Sequence, residues 1–152
     1  MSSRAFITGS GAVSPFGGGT ETLWRGLLSG ASALLVSHAT GEQSMQPLVG
    51  VVPDGAVEVW LSLAERRRPR VDQYALAATR EALDAARLDL AACDATRVAV
   101  VLATTLGAME LGEQYLHVRS AAAGPDELSA AGARRLLAWP YAATAATLAR
   151  QL

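Results

Sequence analysis

The sequence predicts an α/β chain in which helices are layered on a mixed sheet, and in which that sheet is incomplete. Three observations carry the prediction. Residues 4–8 and 97–103 are short runs rich in apolar, β-forming side chains, the second apolar enough for a strand covered on both faces. Residues 72–87 form an Ala- and Leu-rich helical segment between them. The order strand, helix, excursion, helix, strand, helix, helix then suits crossover helices on a parallel or mixed sheet.

Taken in order, the first strand is stopped by Gly9, and a turn-rich stretch follows through Pro15 to Gly17, Gly18 and Gly19. Thr20 is placed to cap a helix with Glu21 in its first turn. Leu23, Trp24, Leu27 and Leu28 share one face of that helix, and Gly30 is placed to end it. Residues 31–63 are an irregular excursion broken by Gly41, Pro47, Gly50, Pro53 and Gly55, with 48–52 as a short strand inside it. The charge run at 65–70, Glu65 and four arginines around Pro69, reads as a solvated turn.

Asp72 is placed to cap the second helix, along which Ala75, Ala78, Ala82 and Ala86 make a stripe of small residues. Residues 89–96 read as a loop around Cys93 and residues 106–118 as a third helix. Pro125, Asp126 and Glu127 mark a further helix start, and Pro140 opens a last helix running to Leu152. That helix is apolar to its end, with neither a Gly stop nor a polar tail, and is expected to continue into a larger fold.

Composition excludes several classes of function. A chain of 152 residues with 51% hydrophobic and 5% aromatic side chains builds its core from Ala, Leu and Val. A net charge of −1 argues against general nucleic-acid binding. All 13 basic residues are Arg, so Schiff-base chemistry and a P-loop lysine are absent. The single cysteine fits a reducing compartment, and no apolar run is long enough for a signal peptide core or a membrane span, so a cytoplasmic protein is expected.

The motifs are weighed next. Gly9, Gly11 and Ser14 give G-x-G-x-x-S, which lacks the third glycine of a dinucleotide loop, and the next helix starts too late to aim at a pyrophosphate. A structural turn is the better reading. Cys93 lies beside Asp94, which opposes a thiolate, so it is read as structural. His38 and His117 have no second His or Cys at metal-ligand spacing, and Glu110 with Glu113 reads as a solvated pair on one helix face. No metal and no cofactor is implied.

Three blocks, in this order and spacing, resemble the β-ketoacyl synthase family. Residues 4–28 resemble its first strand, its T-G-x-G-x-x-S/T-P-x-G turn and a helix with W-x-x-L. Residues 66–88 resemble its basic run followed by Asp, an aromatic and an Ala-rich helix. Residues 97–113 resemble its R-V-G-V-V-x-G-T strand and the Gly-rich turn after it.

The resemblance implies the N-terminal half of a thiolase-like fold, a fold of two similar halves that forms dimers, with residues 1–152 lying before the nucleophile elbow. In that family the catalytic Cys follows the segment that here ends at Leu152, and two His, or one His and one Asn, come from the second half. Cys93, His38 and His117 match none of these, so no catalytic residue is carried over. The turn Thr104, Thr105, Leu106, Gly107 and Ala108 is similar to the one bordering the acyl pocket near the dimer interface, with Leu106 at the bulky apolar position. Ala103 and Ala108 stand where glycines are usual, and the stretch from Pro140 to Thr144 lacks a frequent Asn.

The implied chemistry is decarboxylative Claisen condensation of acyl thioesters in fatty acid or polyketide synthesis. The implied partners are an acyl carrier protein and either a ketosynthase subunit or the C-terminal half of the fold. The departures suit a divergent ketosynthase or, alternatively, a non-catalytic partner subunit of the chain-length-factor kind. Residues 1–152 alone are expected to be inactive.

Overall fold

A computed structural model describes residues 4–36, 47–121 and 142–152. The expectations at His38, at Pro125 to Glu127 and at Pro140 lie outside the described residues. The chain divides into two compact units, Met1–Arg66 with Leu76–Asp89, and Arg67–Ala75 with Leu90–Leu152.

In the first unit, β1 (Val13–Ser14) and β2 (Gly17–Gly18) form a tight antiparallel hairpin that pairs Val13 with Gly18 and Ser14 with Gly17. Pro15 and Phe16 make its loop. The Ser14 hydroxyl fixes that loop locally, accepting from the Phe16 N–H at 3.2 Å and donating to the Gly17 carbonyl at 3.4 Å. The G-x-G stretch before the hairpin lies against the alanine stripe of α2 (Arg70–Ala86). A Cβ on Gly9 would run into the Ala82 carbonyl, and one on Gly11 into the Ala78 carbonyl. The glycines therefore serve close backbone packing, as the structural-turn reading expects.

α1 (Thr20–Leu28) follows, and it ends where expected, at Gly30 with φ 68°. Its start differs: Gly19 is the N-cap and Thr20 the first helical residue. Trp24, Leu27 and Leu28 stay exposed along it. β3 (Leu34–Val36) then pairs antiparallel with β4 (Leu48–Gly50), Leu35 opposite Val49. The strand expected at 48–52 is thus present in shorter form. Its partner falls in the stretch read as irregular, because three residues give too little alternation to register as a strand. Single 3₁₀ turns occur at Glu58–Trp60 and Glu65–Arg67, and Val57, Leu61, Leu76 and Ala77 form the buried apolar set.

α2 begins two residues earlier than expected, with the Gln73 N–H bonded to the Pro69 carbonyl at 3.1 Å, so Asp72 sits inside the first turn rather than at the cap. Proline fits just before a helix because its φ is already helical and no N–H is needed there.

In the second unit, the loop around Cys93 contains 3₁₀ turns at Leu90–Ala92 and Ala95–Arg97, followed by a run at 98–104 without regular secondary structure. α3 (Met109–Ala121) starts three residues later than expected, and α4 (Ala142–Gln151) buries Thr144, Thr147 and Leu148 on one face. Among the described residues of this unit, Ala108 and Leu148 are the buried apolar side chains.

The mixed sheet is the main difference. Among the described residues the two sheets are both two-stranded and antiparallel, and neither 4–8 nor 97–103 joins one. Both runs lack ladder partners, residues 4–8 and 98–103 carrying no regular secondary structure, with Ile7 95% and Val101 93% exposed. A strand exists only through a neighbour that takes its N–H and C=O groups, so apolar β-forming sequence alone does not make a sheet.

Candidate functional site

Two carboxylates of the first unit hold the backbone that the glycine turn and the arginine run depend on. Glu81, on α2, accepts the Ala12 N–H at 2.9 Å and the Thr20 N–H at 2.6 Å. It therefore supplies the N-terminal cap of α1 from another helix, and its charge suits the positive end of the α1 dipole. Thr20 itself lies one position past the cap, inside the first turn, so its hydroxyl is not the N-cap acceptor. Among the described residues Thr20 Oγ1 is buried without a partner.

Glu65 corrects the reading of residues 65–70 as a plain solvated turn. It is 5% exposed. Its carboxylate takes the Arg80 guanidinium as a two-pronged fork at 2.7 and 2.9 Å, and also accepts from the Ser62 N–H and hydroxyl, both at 2.8 Å. Arg80 further donates to the Trp60 carbonyl. The Arg80 hydrogen bond is the main reason the Glu65 pKa falls to about 2; burial opposes the shift and Ser62 adds to it. Arg66 is held in turn by Glu58 and by the Leu61 carbonyl.

In the second unit, the turn predicted to border an acyl pocket is built as a tight lead-in to α3. Thr104 Oγ1 accepts the Gly107 N–H at 3.0 Å, and Gly107 has φ 55°, a conformation glycine adopts without strain. The Met109 N–H then bonds the Leu106 carbonyl at 3.1 Å, and the Leu111 N–H bonds Ala108 at 3.0 Å. Thr105 and Leu106 project outward, Leu106 at 56% exposure, whereas Ala108 is buried.

Arg67, Arg68, Pro69 and Arg70 line a cavity of about 290 Å³ together with Glu110, Leu111 and Gln114 of α3. The Gln114 amide donates to Glu110 at 3.2 Å, and Arg70 donates to the Tyr74 hydroxyl at 2.6 Å while lying over its ring. The sequence signal was present, since cations crowded around one proline repel unless something anionic shares the space.

Cys93 is half-buried, and its N–H closes the turn onto the Leu90 carbonyl at 3.0 Å. The adjacent Asp94 accepts from the Thr96 hydroxyl at 2.7 Å and N–H at 3.0 Å, which lowers its pKa and keeps it anionic beside the thiol. His117 is exposed on α3. Among the described residues no group of three His, Cys, Asp or Glu could hold a metal ion. Nor is any described helix long and apolar enough to cross a membrane.

These features meet a family pattern. The profile of the β-ketoacyl synthase N-terminal domain matches residues 2–147. The chain belongs to the β-ketoacyl synthase family. Its fold class follows: an α/β chain of the thiolase-like kind, with helices and two small antiparallel sheets among the described residues. It is 33% identical over 128 residues to the 3-oxoacyl-[acyl-carrier-protein] synthase 2 of Staphylococcus aureus (strain COL), covering 83% of this chain and 31% of that protein. It is 30% identical over 128 residues to the protein of the same name from Vibrio harveyi, with the same coverage of 83% and 31%. The chain thus spans about a third of the length of these curated β-ketoacyl synthase relatives.

Proposed function

We propose that residues 1–152 are the N-terminal part of a β-ketoacyl-[acyl-carrier-protein] synthase, lying before the nucleophile elbow and supplying scaffold and one wall of the acyl pocket. The family match over residues 2–147 is the observation that carries this reading. In the complete reaction an enzyme thiolate takes the acyl group from its carrier thioester and releases the carrier thiol. A malonyl carrier then loses carbon dioxide, and the enolate so formed attacks the acyl thioester, makes the carbon–carbon bond and expels the thiolate. Such condensations extend fatty acid or polyketide chains.

Within this chain, Thr105, Leu106, Gly107 and Ala108 are assigned to the pocket wall and its dimer-facing rim. The outward Leu106 on a turn pinned by Thr104 suits contact with an apolar acyl tail. No residue of the chain is assigned as nucleophile or base, because Cys93 sits beside an anionic Asp94 in the short link between two 3₁₀ turns. The cavity at Arg67, Arg68 and Arg70 is assigned to docking of the acyl carrier partner through its anionic groups.

Incubation of residues 1–152 with an acyl carrier thioester tests the assignment. Mass spectrometry is expected to find Cys93 unmodified and no condensation product. A stable acyl adduct on Cys93 would overturn it.

A second reading, a non-catalytic subunit that pairs with a complete ketosynthase, is favoured by the apolar runs at 4–8 and 97–103, which carry Ile7 and Val101 almost fully in solvent. It expects a one-to-one complex on co-purification with a ketosynthase. A monomer that ignores the ketosynthase removes this reading.

A further inference from the structure

We draw no further inference here: the strongest candidate, the arginine-lined cavity that Arg67, Arg68 and Arg70 form with Glu110 and Gln114, belongs to the carrier-docking surface already proposed.

Discussion

At the scale of single residues, Glu65 holds its charge almost out of water because Arg80 and Ser62 together occupy its lone pairs. Its folded pKa of about 2 lies below the ordinary 4.5, so its contribution is complete above about pH 4.5 and is lost as the pH falls toward 2. By linkage this is at most about 3 kcal/mol, reduced by solvent screening at the partly exposed Arg80 end. Glu65→Gln removes the charge and strands the guanidinium, and is expected to cost about 2–4 kcal/mol near neutral pH. Denaturant titrations across pH should show the variant's stability falling less steeply between pH 4.5 and 2 than the parent's. An unchanged acid slope would assign the pH dependence to other groups. The residue types announced none of this, because a Glu followed by three arginines reads locally as surface. The partner that draws Glu65 inward lies 15 positions away on α2.

At the scale of elements, the helices α1, α2 and α3 are legible, whereas of the expected strands only the one at 48–52 forms, as Leu48–Gly50. α2, expected at 72–87, spans Arg70–Ala86, since its composition, its acidic first turn and its alanine stripe all act locally. The expected strands at 4–8 and 97–103 failed for the opposite reason: pairing is supplied from outside the segment. The candidate pocket turn was found only through the family's block pattern, because Thr104 to Ala108 contains no chemistry of its own. The end of α2 allows a sharp test. Arg87 has φ 51°, with its N–H on the Asp84 carbonyl at 3.0 Å and the Leu88 N–H on the Leu83 carbonyl at 3.1 Å. These two bonds are the Schellman pattern, with Arg where glycine is usual. Left-handed backbone costs a side-chain-bearing residue roughly 1–2 kcal/mol. Arg87→Gly is therefore expected to stabilise the fold by about 0.5–1 kcal/mol after glycine's greater unfolded-state freedom is subtracted. The thermal midpoint should rise; a lower midpoint would mean that the arginine side chain contributes more than its backbone strain.

At the scale of the whole molecule, the charge balance is near neutral while the cations are unevenly placed, with four of the 13 arginines between residues 66 and 70. Arg66 is paired with Glu58, and Arg70, which donates to the Tyr74 hydroxyl, lines the cavity wall with Arg67 and Arg68. Under the proposed carrier docking, the double substitution Arg67→Glu with Arg68→Glu is expected to weaken binding of an acyl carrier protein at least tenfold at low salt, with a flatter salt dependence than the parent. Titration calorimetry at two ionic strengths measures both. Equal affinities would overturn the assignment of this cavity to carrier docking. The same long-range character marks the other carboxylate, Glu81, whose bond to the Thr20 N–H joins positions 61 residues apart. A helix as short as α1, nine residues, barely holds together in water by itself. At translation rates of about 5–20 residues per second, roughly 3–12 s separate the synthesis of its first residue from that of the carboxylate that caps it. Through that interval the first helix of the chain is without its cap, and its completion is timed by the arrival of the second.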